Sequence, residues 1–331
     1  MKIFIEPVFS EYYCKFPLVL ADIGARGGLE PNWKPAQKYL QTIGFEPDER
    51  AFLDLEKKKD GKSRYLHVGL YKERASLKYY FTKSQGASSI FKPNREFLNK
   101  FPESERFDIV GSKNIEVDTL DEQFRIHNIT GIDFIKIDTQ GSELFVLEGA
   151  TETIRNQVFG LEVEVEFVEI YQNQPLFSDV DGFIKKQGFQ LFDIQSAYWK
   201  REIGKDYHKK RGQLIFGNAL YLRELDKFNE IIDNIQDSIE KKSKVLKAIS
   251  ICFLYGYFDY AMEIFDMAGR LFDRTERKAV EKMIKRSIRY ESKIPSFKGK
   301  RKIASIFSFL WEAIRPTHNN WATIDRGLGN V

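Results

Sequence analysis

In "LVLADIGARGG" (residues 18–28) an acid closes a short apolar run, and glycines follow at positions 24, 27 and 28. Such residues at such spacing bring a backbone close to a small ligand. Asp22 ends a buried strand, and Gly24, Gly27 and Gly28 allow a tight, open turn. Three ligands use turns of this kind. A nucleoside triphosphate needs a glycine loop ending in Gly-Lys-Ser/Thr, and no such pair follows. A dinucleotide needs G-x-G-x-x-G, which these glycines do not form. S-adenosylmethionine carries an ammonium, a carboxylate and a sulfonium, with no phosphate, and suits D-x-G-x-x-G better. The second strand ends "GFEPD", with Glu46 lying 24 residues after Asp22. A carboxylate there can accept two hydrogen bonds from a ribose diol. Pro47 turns the chain away, and Asp48 reads as solvent-facing.

These residues need a sheet to position them. Strands are expected at 18–23, near 41–46, near 64–70, in "GIDFIKID" ending at Asp138, in "VFGLEVEVEF", after the helix of "DVDGFIKKQGFQLFDI", and in "GQLIFGNALYL". Helices are expected in "WKPAQKYL", "LDEQFRIHN" and "SELFVLEGATETIRN", the last with Leu144, Leu147 and Ala150 on one face. Strand and helix alternate to about 195, which implies a mostly parallel sheet covered on both faces. The last two strands are joined by a charged segment without a helix, so they pair antiparallel. Residues 71–113 read as polar and irregular, with strand-like pieces such as "LKYYFT". From about 224 strand signals vanish and helices follow. Two of them, joined at Gly256, resemble a single tetratricopeptide-like hairpin. No second copy at a fixed period follows, so an array is not expected. The division is 1–222 and 223–331.

"DIGARGG", "GFEPD", "VDTLDEQF" and above all "IDFIKIDTQGSELFVLEGA" (132–150) occur in an order that resembles the FkbM family of S-adenosylmethionine-dependent methyltransferases, whose usual form is close to "IDFIKIDVEGAELEVLKGA". The resemblance covers roughly 16–222 and extends through "DGFIKKQGFQLFDI" and "GQLIFGNALYL". It implies an α/β, class I, Rossmann-like fold with a seven-stranded sheet whose last strand is antiparallel. It also implies methylation of hydroxyl groups, often on sugars or polyketide-type products. Two departures stand out. Gln140 replaces the usual glutamate of "DVEG". Arg26 and the doubled Gly27-Gly28 replace the usual "GANxG", so Arg26 is expected to pair with the methionine carboxylate.

Methyl transfer from a sulfonium is an in-line displacement in which alignment contributes most, and a hydroxyl acceptor must also lose its proton. In this fold the acceptor meets the methyl group at the end of the fourth strand. Asp138 sits there and is the first candidate for base or orienting group. Lys136 points to the same sheet face and would lower the pKa of Asp138 if they met. Glu143 could cap the next helix or reach the site. Glu166 is the second candidate, whereas Glu164 reads as a solvated or salt-bridged strand face. His208 could overhang the pocket. His67 reads as half-buried, and His127 and His318 lie in polar loops. Four scattered histidines at no ligand spacing predict no required metal.

The bulk numbers set outer bounds. The chain has 331 residues, 42% hydrophobic and 30% charged, with a net charge of +4. That is ample for a large core and says little of nucleic acid. Cys14 and Cys252 form no framework, and the N-terminus is not a signal peptide. No apolar segment approaches the roughly 20 residues of a span. A cytoplasmic enzyme is expected. "KGKRKIASIFSFLWEAIR" forms a basic amphipathic helix, which could rest weakly on an anionic membrane. The favoured reading packs its apolar face on neighbouring helices. The basic, aromatic "SIRYESKIPSFKGKRK" lacks a nucleic-acid module, and no "[ND]PP[YF]" follows the fourth strand. The expectation is an O-methyltransferase for a sugar hydroxyl of a glycan or glycoconjugate. The alternative is a non-catalytic S-adenosylmethionine-binding protein that docks a partner such as a glycosyltransferase through its helical part.

Overall fold

The computed structural model describes residues 4, 7–206, 211–288, 297–314, 320–325 and 327–330. His208 and His318 lie outside them. The strands are β1 (Leu18–Ile23), β2 (Leu40–Phe45), β3 (Ser63–Leu66), β4 (Gly69–Leu70), β5 (Ala75–Thr82), β6 (Ile109–Asp118), β7 (Phe134–Ile137), β8 (Gly160–Glu166), β9 (Phe189–Trp199), β10 (Gln213–Arg223) and β11 (Ala322–Ile324).

The main sheet runs β3-β2-β1-β7-β8-β10-β9-β11. Strands β3, β2, β1, β7 and β8 are parallel, and β10 inserts antiparallel between β8 and β9. This is the seven-stranded α/β sheet with an antiparallel last strand. A short eighth strand, β11, borders β9. It falls where only helices were expected, because three residues are too few to show a period. Strand order reverses between β1 and β7, and a crevice opens there beyond the carboxyl ends.

Alternation along the strands builds two cores. Val19, Ala21, Ile23, Ile135, Ile137, Leu161 and Val163 belong to one, and Leu18, Leu20, Phe134, Leu220 and Leu222 to the other. Strand β1 is buried on both faces, as a central parallel strand must be. The second core is closed by helices from the C-terminal part, chiefly Ser238–Leu254 and Phe258–Ala268, which join at Gly256 with φ +78°. Asp133, just before β7, is buried there between two cations. Lys244 Nζ lies 2.7 Å from Oδ1 and Lys247 Nζ 2.9 Å from Oδ2.

Three expectations are corrected. Residues 71–113 are not irregular: β5 pairs antiparallel with β6, and β4 pairs parallel with it, in a separate three-stranded sheet. The single strand expected near 64–70 is divided, with β3 in the main sheet and β4 in this small one. The helix Lys300–Ile314 does not bury its apolar face, since Ile303, Ile306, Phe307 and Leu310 are all exposed.

Candidate active site

The turn after β1 begins at Gly24, with φ +80°. A Cβ there would stand 2.0 Å from the Asp138 carbonyl oxygen, so β1 and β7 meet at a point where only glycine fits. A cleft of about 160 Å³ opens beside it. Gly24, Arg26, Glu46 and Pro47 line one side, and Asp138, Gln140 and Ser142 another. The small sheet adds Leu70, Tyr79, Ile115 and Val117 to the lining, with Val68 just before it. Of these, Tyr79 comes from the segment 71–113 that looked irregular in sequence. Gly27 and Gly28, with φ +93° and +78°, face a second, 460 Å³ cavity that also touches Arg26 and runs along Thr42 and Tyr65.

Asp22 is buried just beneath this turn. Lys136, its partner across β1 and β7, lies 3.9 Å away and also reaches Glu30 at 3.2 Å. Asp22 Oδ1 is buried without a hydrogen-bond partner among the described residues. Burial pushes its carboxyl up to about 6 against the opposing pull of Lys136. Burial also depresses the Lys136 ammonium, but Asp22, Asp138 and Glu30 outweigh this and hold it above its ordinary value. Lys136 lines neither the cleft nor the cavity on the Glu166 side.

Glu46 is buried at the end of β2, and its Oε1 accepts from the Asp48 amide at 2.9 Å. Burial raises it to about 7, partly opposed by that amide and by Arg26. Asp48 is not solvent-facing. It is 5% exposed, caps the helix Glu49–Lys58 by accepting from the Arg50 amide, and lies 3.8 Å from Arg26. Arg26 also donates to Gln85. Its guanidinium is thus tied toward the Glu46 side of the turn. His67 is exposed rather than half-buried and bonds the Pro47 carbonyl at 3.1 Å.

Beyond β7 four carboxyl groups converge. Gln140, with φ +57°, donates from Nε2 to Asp138 Oδ1 at 2.9 Å and to Glu164 Oε2 at 2.6 Å. Its Oε1 accepts from the Tyr171 hydroxyl at 2.9 Å. Glu164 is therefore part of the site and not a solvated strand face. Alternation puts Glu162, Glu164 and Glu166 on one face of β8, and the fold brings Gln140 and Asp138 to it. Burial raises Glu164 and Glu166 well above the ordinary carboxyl range, and the charges of Asp138 and Glu143 add to this. Glu143 accepts from the amides of Thr139 and Gly141 at 2.7 and 2.9 Å, which ties down the turn, and burial raises it to about 7.

Glu143, Glu164 and Glu166 place one oxygen each within 4.8 Å of one another, a spacing that could hold a divalent cation. Two of the three already serve other partners, as Glu143 holds amides and Glu164 holds Gln140. Crowded, buried carboxyls of this kind meet their repulsion by retaining protons. A cavity of about 440 Å³ adjoins the cluster, lined by Glu164, Glu166, Gln140, Arg106, Trp199 and Phe216 among others. Arg106 stacks 4.6 Å from the Trp199 ring. Gln140 borders both this cavity and the 160 Å³ cleft.

A family profile described as the methyltransferase FkbM domain matches residues 22–191. The chain belongs to this family. It has the class I methyltransferase fold, and S-adenosylmethionine is the cofactor of the family. A search of curated proteins finds no match. Among solved structures, a methyltransferase FkbM from Methylobacillus flagellatus KT is 16% identical with a TM-score of 0.36, covering 62% of this chain and 43% of that one. The chain thus spans less than half the length of that protein. Magnesium protoporphyrin IX methyltransferase from Synechocystis PCC 6803, with bound SAM, is 9% identical with a TM-score of 0.33, covering 66% of this chain and 78% of that one. TrmK from M. capricolum, in complex with S-adenosylhomocysteine, is 10% identical with a TM-score of 0.31, covering 85% and 97%. Among the described residues, no helix is long and apolar enough to cross a membrane.

Proposed function

We propose that this FkbM methyltransferase methylates a hydroxyl group, on a sugar of a glycan or glycoconjugate. The observation that carries the reading is the carboxyl cluster around Gln140, which stands between the 160 Å³ cleft and an aromatic, charge-lined cavity.

The residues present fit the cofactor. Asp22 Oδ1, 3.9 Å from the Lys136 ammonium and accepting no hydrogen bond among the described residues, is an acceptor that the cofactor's ammonium would satisfy. Gly24 keeps the turn free of side chain where β1 meets Asp138. Glu46 offers a ribose diol its acceptor, with Pro47 beside it. The wall of Val68, Leu70, Ile115 and Val117 suits an adenine ring. In the wider reading Gly27 and Gly28 keep the turn open toward the amino-acid end, Arg26 stays on the Glu46 side, and Lys136 holds Asp22 in place.

S-adenosylmethionine supplies a methyl group already activated as a sulfonium. The chain must align a hydroxyl and take its proton. Asp138 accepts that proton in this reading, oriented by the Gln140 amide. Glu164, protonated by burial and within hydrogen-bonding reach of Asp138, steadies it from the other side. Glu166 is the second candidate, reaching the acceptor from the cavity wall. Carboxyls beside Trp199 and Phe216 suit a hydroxyl-bearing ring, which offers polar edges and an apolar face.

The test is incubation with S-adenosylmethionine and a panel of sugars, sugar nucleotides and non-sugar alcohols, reading S-adenosylhomocysteine release and a one-methyl mass gain. Sugar methylation, lost in Asp138→Asn with S-adenosylhomocysteine affinity retained, supports the assignment. Methylation of non-sugar alcohols alone removes the sugar reading. Tight cofactor binding with no turnover on any acceptor favours a non-catalytic binding protein.

A further inference from the structure

The helix Lys300–Ile314 turns Ile303, Ile306, Phe307 and Leu310 along one stripe. Ile306 is 59% exposed, Phe307 68% and Leu310 51%, and Phe309 on another side is 73% exposed. Contiguous exposed apolar surface of this kind marks a contact yet to be made. The charges on this helix are placed against its own dipole. Its first turn carries Arg301 and Lys302 and no acid, with Lys298 just before, all exposed. Cations at a helix N-terminus are unfavourable unless an external anion meets them. A stripe of 15 residues, about 22 Å long, is too short to cross a bilayer but long enough to lie in its surface.

We propose that this helix is an in-plane anchor for an anionic lipid surface, with Ile303, Ile306, Phe307 and Leu310 entering the headgroup boundary and Arg301, Lys302 and Lys298 meeting lipid phosphates. A second copy of the chain is the weaker occupant. It would bring the same basic cluster, and the helix carries only one acid, Glu312, to answer it. An anionic bilayer complements both the stripe and the charge. The inference does not depend on which acceptor is methylated.

The test is flotation of the full chain with vesicles of phosphatidylcholine alone and of phosphatidylcholine mixed with phosphatidylglycerol. The anchor requires binding to the mixed vesicles that weakens as salt is raised. The double variant Arg301→Gln/Lys302→Gln should reduce partitioning roughly 30-fold, and Phe307→Ser/Leu310→Ser should abolish it. Both should keep wild-type S-adenosylhomocysteine affinity, which shows that they are folded. Failure to bind, equal binding to both vesicle types, or no effect of these changes would overturn the anchor. So would a dimer in sedimentation that Phe307→Ser dissociates, which would assign the stripe to a second copy.

Discussion

Glu46→Gln gives the sharpest test of the cofactor site. In the ligand-free protein the Glu46 carboxyl is pushed up to about 7 by burial. A ribose diol donates two hydrogen bonds and so favours the ionised form. Binding must therefore displace a proton wherever Glu46 begins protonated. Affinity for S-adenosylhomocysteine should be nearly flat above about pH 8 and fall roughly tenfold per unit below about pH 7. Exchanging the carboxylate for a neutral amide weakens charge-assisted hydrogen bonds, at about 2 kcal/mol, or roughly 30-fold in Kd at high pH. It should also flatten the profile until Asp22, at about 6, begins to take up its own proton. The assay is calorimetric titration from about pH 8 to about pH 6 in buffers of different ionisation enthalpy, so that proton release is read directly. A wild-type profile that is flat, or a variant that keeps the wild-type slope, would falsify the assignment of Glu46 to the ribose.

Three other outcomes follow from the same geometry. Gly24→Ala places a Cβ 2.0 Å from the Asp138 carbonyl oxygen at φ +80° and should cost about 3 kcal/mol in urea denaturation together with measurable cofactor affinity; wild-type behaviour in both would mean that the β1–β7 junction is not tight. Gln140→Glu restores the residue usual in the family but removes the amide that serves Asp138 and Glu164. Its pH–rate profile should shift its acid limb upward, and an unaltered profile would rule out the bridge. Finally, Glu46, Glu143 and Glu162 at about 7 and Asp22 at about 6 hold protons that the unfolded chain, at about 4, has lost. The folded state binds more protons across that window, so the Tm of ligand-free protein should fall as pH rises from about 5 to about 7.5. A rising Tm would contradict these protonation states.

Much of the frame was legible because strands β1 and β7 are short, largely apolar runs bounded by turn residues, β8 alternates apolar and acidic residues, and the Asp22 and Glu46 positions follow from strand ends. The small sheet was not. Strand β6, "IVGSKNIEVD", is exposed over most of its length, so its sequence lacks the apolar alternation that identifies a strand. Glu164 was misjudged for another reason: alternation assigns a face, but only the fold says that Gln140 and Asp138 occupy it. Gln140 itself read as a loss relative to the family. In place, its neutral amide donates to two carboxyls, where a glutamate would add another charge to a crowded cluster. Asp48 looked like a loop acid because its role depends on the helix Glu49–Lys58, which is rich in charge.

The Asp133 ion triad bears on how this gene can be cut or recombined. The family profile ends at residue 191, yet both counter-ions of Asp133 come from residues 244 and 247. A fragment stopping after β10 would strip the cover from Leu18, Leu20, Phe134, Leu220 and Leu222 and take both counter-ions from Asp133. Breaking such a pair from one side costs about 3–5 kcal/mol, comparable with the whole stability of many domains. The stretch that carries no proposed chemistry is thus the floor on which the chemistry rests. Early stop codons in it should behave as null alleles, and a chimaera joined near residue 223 should fold only when the incoming helix brings its own two lysines in register.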